Sequence, residues 1–252
     1  MDMKVKVCVL QFERTGNFKK NVEKAKDYLR QANACDFALI GGEFSLNESK
    51  NIDPYPLLTE LAKTFTCNVV APINANFRRF PKTREKGFSS MHVFNRDGEV
   101  VAIQDKQHFY WKERPWFKCG ADIKVFEVDG IKIGLVRGSD ILYPNYTQRL
   151  KDAEIIFFST MAIDDMMFEL AKTRALENQC YIVMSSFIGK YVGMDFVGNA
   201  AIIEPVFTIR KGMKMPNETK VLQCVEEEGF IQAEVDIEYI RKIKKEYHMG
   251  EL

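Results

Sequence analysis

The sequence predicts a layered α/β fold running as one domain through residues 1–252, and two features of its patterning carry that prediction. The chain opens strand–helix–strand: two short apolar runs, Lys4–Leu10 and Asp36–Ile40, flank an amphipathic stretch. Further along, two Asp-Gly pairs, Asp97-Gly98 and Asp129-Gly130, each join short alternating segments as hairpin turns do. Parallel strands covered by helices, mixed with hairpins, give a mixed α/β layer structure.

Taken in order, Lys4–Leu10 alternates and then turns fully apolar, as a strand entering a core does. Asn17 is placed to cap a helix reaching about Asn33, in which Phe18, Val22, Ala25, Leu29 and Ala32 recur at helical spacing. The buried strand Asp36–Ile40 ends at Gly41-Gly42-Glu43. Tyr55–Phe65 reads as a second amphipathic helix and Cys67–Ile73 as a strand. The hairpins pair Met91–Asn95 with Glu99–Gln104 and Val125–Val128 with Ile131–Val136. Helices are expected at Pro144–Lys151 and Asp164–Gln179, and strands at Glu154–Ser159, Tyr181–Phe187, Asn199–Glu204 and Gly229–Asp236. A basic helix, Ile237–Tyr247, closes the chain. The chain shows no long linker, repeat or low-complexity segment.

Hydrophobic content of 46% and charged content of 28% are ordinary for a globular protein, and a formal net charge of +1 gives no case for a nucleic-acid partner. No apolar run approaches the ~20 residues of a membrane span. The N-terminus leads straight into a strand, so no signal peptide is expected. The six cysteines, Cys8, Cys35, Cys67, Cys119, Cys180 and Cys224, form no CxxC pair and no zinc or disulfide spacing. They read as free, mostly buried thiols in a cytoplasmic protein, with no metal and no cofactor.

The central stretch is Gly130 to Pro144, a buried strand that stops at Gly138-Ser139-Asp140 before a helix. Such an elbow is where many hydrolases present a nucleophile beside free backbone N–H groups. Here the residue at the turn has no side chain. Around it stand other candidates: Glu43, a carboxylate at a buried strand end, suited to general-base work; Lys106, after a strand, suited to holding an anion; and His108. Glu113 lies within the aromatic run Phe109–Phe117, where Trp111 is a candidate pocket wall.

Together and in this order these segments resemble the nitrilase, or carbon–nitrogen hydrolase, superfamily. Ala38–Glu43 is similar to its strand ending in the general-base glutamate, and Lys106-Gln-His108 to its Lys-x-His motif. Glu113–Gly120 matches the segment carrying a supporting second glutamate. Arg174-Ala-Leu-Glu-Asn178 matches its Arg-Ala-x-Glu-Asn helix end. Gly198–Pro205 resembles a late strand and turn, and Glu228–Asp236 the closing strand.

The resemblance implies a four-layer α-β-β-α sandwich, a Glu-Lys-Cys triad, and association into a homodimer or higher homo-oligomer. The helices at Pro144–Lys151 and Asp164–Gln179 are the expected contact surface. The departure from the family lies at the elbow. Gly134, Asp140 and Pro144 match, but the nucleophilic cysteine falls on Gly138, its apolar predecessor on Arg137, the frequent arginine on Leu142 and the frequent acid on Asn145.

Two functions follow as expectations. One is a noncatalytic protein that keeps Glu43, Lys106 and Glu113 and binds a small amide- or carboxylate-like ligand, with His108, Ser139, Asp140, Arg137 and Trp111 around the pocket. The other is an active amide hydrolase using a relocated nucleophile (Ser139, Cys119 or Cys180) or a water activated by Glu43. Strand alternation turns Arg137 and Ser139 away from the face of residue 138, and Arg137 is expected to pair with an acid.

Overall fold

A computed structural model describes residues 3–13, 17–41, 53–75, 86–191, 193–210 and 213–246. Fourteen strands and five helices lie among them. The first half holds β1 (Lys4–Glu13), α1 (Phe18–Ala32), β2 (Phe37–Ile40), α2 (Tyr55–Phe65), β3 (Asn68–Ala75), β4 (Phe88–Phe94) and β5 (Val100–Asp105). Next come β6 (Phe126–Val128), β7 (Ile131–Arg137), α3 (Pro144–Gln148), β8 (Ile155–Ser159), α4 (Met166–Asn178) and β9 (Tyr181–Ser185). β10 (Phe187–Tyr191), β11 (Met194–Val197), β12 (Ala200–Arg210), β13 (Met213–Val225), β14 (Gly229–Asp236) and α5 (Ile237–Glu246) complete the chain.

The strands form two mixed sheets. The first has eight strands, in the order β11-β10-β1-β2-β3-β4-β5, with β14 paired to β1; the second runs β13-β12-β9-β8-β7-β6. β1, β2 and β3 are parallel to one another, as are β7, β8 and β9. Strands covered on both faces read as unbroken apolar runs, and the burial pattern shows why. In β1, Val7 and Val9 face the second sheet, while Cys8 and Leu10 pack under α1 and α2. Phe37 of β2 meets Phe157 of β8 across the inter-sheet core, with ring centroids 5.4 Å apart. On the far side of the second sheet, Val136, Ile156 and Phe158 pack against Tyr146, Ala171 and Ala175 of α3 and α4. Helix, sheet, sheet and helix are therefore stacked in that order, as expected.

α1 begins where its cap predicts, with Asn17 Oδ1 accepting from the Lys20 N–H at 3.2 Å. Three strands were not expected. β13 carries Pro216 and a polar Asn-Glu-Thr-Lys run, and it survives because it is an edge strand, where proline and charge are tolerated. Its ladder with β12 shifts register between Val206 and Phe207, where Phe207 faces Pro216. The expected strand Tyr181–Phe187 is two pieces. β9 ends at Ser185, and Phe187 opens β10 in the other sheet, opposite Phe12 of β1. Among the described residues no helix is long and apolar enough to cross a membrane.

Candidate active site

The ends of β5 and β7 bring the site together. Lys106 follows β5 directly; its N–H donates to Ser89 O at 2.8 Å, and its carbonyl accepts from the Gly120 N–H at 2.9 Å. A Cβ on Gly120 would lie 2.7 Å from both Cβ and O of Asp105, so glycine alone lets that loop close over the strand end. Lys106 is 4% exposed. A buried ammonium is costly unless paired, and both carboxylate oxygens of Glu113 sit 2.9 Å from Nζ. The Tyr110 N–H holds Glu113 Oε2 at 2.9 Å, which fixes the carboxylate. The rings of Phe109 and Tyr110 lie 4.9 and 5.9 Å from Nζ, walls that the aromatic run supplies next to the lysine.

Opposite them, β7 ends at Arg137 and the chain turns through a 3-10 segment, Gly138–Leu142. Gly138 has φ +51°, a left-handed conformation that glycine enters without the Cβ clash of other residues. A Cβ built on it would point at Lys106, 3.4 Å from Nζ and 3.7 Å from Cε. The turn is stapled to the lysine's own loop by Asp140, which is fully buried. Its carboxylate accepts from the N–H groups of Gln107 and His108, the latter at 2.7 Å, and lies 2.9 Å from His108 Nδ1. Burial raises the Asp140 pKa above the usual range, against the opposing pull of the His108 and Gln107 hydrogen bonds and the Lys106 charge. Ser139 Oγ adds a second staple, donating to His108 O at 2.5 Å. The His108 ring stacks on Tyr143, with centroids 3.6 Å apart. From behind, Arg174 of α4 donates to Ile141 O at 3.2 Å, which gives the Arg-Ala-Leu-Glu-Asn helix end a role in holding the elbow.

The family model for carbon–nitrogen hydrolases matches residues 6–245. This chain belongs to the carbon–nitrogen hydrolase family. Among relatives, a probable nitrilase of Schizosaccharomyces pombe is 24% identical over 270 residues, 96% of this chain and 92% of its own length. A 2-oxoglutaramate amidase of Bacillus subtilis is 23% identical over 165 residues, spanning 63% of this chain and 60% of that protein. The fold matches Saccharomyces cerevisiae Nit3, a nitrilase-superfamily member, with a TM-score of 0.78 and 18% identity over 98% of this chain and 96% of that one. An amidase of Nesterenkonia matches with a TM-score of 0.75 at 17% identity, covering 98% of this chain and 96% of that one.

Within this carbon–nitrogen hydrolase fold the remaining candidates fall differently. Glu43 lies outside the described residues. Arg137, 6% exposed, crosses to the first sheet: its Nε donates to Ser89 Oγ at 2.6 Å and an Nη to Asn74 Oδ1 at 3.2 Å. These two described partners are neutral and belong to β3 and β4. Neither Ser89 nor Asn74 carries a sequence signal of its own, so their part was not legible. Trp111 is 75% exposed, and its described ring contact is with Lys112. The rings of Phe109 and Tyr110 are the ones described near the Lys106 ammonium. Cys119 is exposed, whereas Cys180 is fully buried beneath α4, and burial pushes its thiol up to about 12. Among the described residues no group of three or more His, Cys, Asp or Glu side chains is placed to hold a metal ion.

Proposed function

We propose that this carbon–nitrogen hydrolase family member is a noncatalytic, single-domain binding protein whose pocket takes a small amide- or carboxylate-like molecule. The observation that carries this reading is the placement of Gly138. Its missing Cβ is directed at the Lys106 ammonium from 3.4 Å, where a nucleophilic side chain would lie beside the lysine that stabilises its product oxyanion. In a point mutant of an amidase of Nesterenkonia sp. AN1, acrylamide has added to the active site cysteine. This chain offers at its elbow a bare backbone instead. We take Gly138 as the position of the lost nucleophile, Glu43 and Lys106 as the retained base and anion holder, and Glu113 as the lysine's positioning partner.

The geometry disfavours Ser139 and Cys180 as relocated nucleophiles. Ser139 spends its hydroxyl hydrogen on His108 O, and Cys180 is sealed in the core with its thiol protonated at neutral pH. A lysine fixed by a bidentate carboxylate remains a hydrogen-bond donor for one ligand oxygen. The protein would act in the cytoplasm as a homodimer that pairs through α3 and α4, where Met166 and Ile163 expose apolar surface.

A thermal-shift and calorimetric screen of short amides and their carboxylates tests the reading. A ligand that binds wild type is expected to bind Lys106→Met about 10- to 100-fold more weakly, the worth of one hydrogen bond to a charged donor. Unchanged affinity in a folded variant would place the ligand elsewhere.

A further inference from the structure

We propose that Arg137 and Ser159 form a carboxylate subsite of the Lys106 pocket, an assignment that rests on the pocket being a binding site and makes its ligand a short carboxylic acid. β7, β8 and β9 are parallel, and Arg137, Ser159 and Ser185 are paired in register across them. Two residues earlier in each strand stand Leu135, Phe157 and Val183, all in the core between the sheets. Side chains two apart share a face, so Arg137, Ser159 and Ser185 continue that inter-sheet face as a polar layer. It is the last rung of the three strands before their loops, one residue before the elbow glycine.

The first sheet meets this layer with a polar pair of its own. Asn74 and Ser89 are paired across β3 and β4, and they accept from Arg137 Nη and Nε at 3.2 and 2.6 Å. Those bonds fix the plane of the guanidinium. Ser89 O also accepts from the Lys106 N–H at 2.8 Å, so one residue ties the guanidinium to the lysine. Ser185 Oγ reaches Ile40 O of β2 at 3.5 Å. Between Arg137 and Ser185, Ser159 is 1% exposed, and its Oγ has no hydrogen-bond partner among the described residues.

A buried hydroxyl left unpaired is destabilising and uncommon in a native fold. This one stands a single strand, about 4.8 Å across the sheet, from a permanently charged residue. A hydroxyl donor beside a fixed cation suits an anion: Ser159 donates the hydrogen bond and Arg137 supplies the charge. With the carboxylate held there, the Lys106 ammonium takes a second oxygen of the same molecule.

Calorimetric titration of the full-length protein with propionate, malonate, succinate and glutarate, each against its neutral amide, tests this. At least one acid is expected to bind about 10-fold more tightly than its amide, and Ser159→Ala to lose that margin. Because the Ser159 hydroxyl has no described partner to lose, the same variant should melt no lower than wild type. Arg137→Gln should lose the margin too, whereas Lys106→Met should weaken acid and amide alike. Ser159→Ala that keeps the margin, while Lys106→Met lowers both affinities, would overturn the subsite and leave the pocket. Wild type that binds no acid more tightly than its amide would overturn it as well. Affinities unchanged by Lys106→Met would remove the pocket reading, and the subsite with it.

Discussion

Gly138→Cys is expected to gain a reactive thiol and, with it, ammonia release from small amides about 10²- to 10⁴-fold above the wild-type level. A nucleophile acting as part of a unit is worth up to roughly 10⁶ in rate, and a restored one should recover a fraction of that. The fit is sterically free: among the described residues the new Cβ meets only Lys106, at ordinary van der Waals distance. The cost is conformational. A side chain at φ +51° costs about 1–2 kcal/mol, so the variant should melt a few degrees lower. The neighbouring ammonium favours the thiolate, so iodoacetamide should modify the introduced thiol faster than Cys119. A folded variant whose introduced thiol reacts no faster than Cys119 would show that the elbow is not the site of the lost nucleophile.

Asp140→Ala is expected to cost about 3 kcal/mol and to lower the melting temperature by roughly 6–12 °C. Asp140 ties the turn after β7 to the residues after Lys106 through two backbone N–H groups and His108. Its buried carboxylate carries a desolvation penalty, seen in its raised pKa, and holds its place through those bonds. Alanine removes the acceptor and leaves the donors of a part-buried loop without it. Because the same staple sets the distance between Lys106 and Gly138, ligand affinity should fall with stability. Ser139→Ala, which removes the single bond to His108 O, should cost less, on the order of 1 kcal/mol. A melting curve for Asp140→Ala that overlays wild type would show that the staple does not hold the elbow.

Much of this was written in the sequence where local pattern and tertiary role coincide. Asn17 announces the start of α1, the two Asp-Gly pairs announce their hairpins, and the doubly buried β1 and β7 show their position through unbroken apolar runs. Lys106 and Glu113 are weak signals taken singly, and it was the resemblance to the family's motifs that joined them; in the structure they meet as an ion pair. What was not legible depends on which strands meet in space. The Arg137 side chain reaches Ser89 and Asn74, 48 and 63 residues away, through the crossing of one sheet over the other. No local rule singles out those two polar residues. An aromatic run does not say which of its rings turns inward; the backbone bend that lets the Tyr110 N–H reach Glu113 places Phe109 and Tyr110 near the ammonium. β13 was missed because an edge strand need not alternate.

The reading of this protein as a binder rests on wild type doing no hydrolysis. The most direct test is ammonia release by the wild-type protein from a panel of small amides, nitriles and carbamoyl compounds at neutral pH, with Gly138→Cys as the positive control. No release above buffer from wild type, with release from the variant, is the predicted result. Turnover by wild type that survives purification and disappears in Lys106→Met would contradict it and make this pocket a working hydrolase.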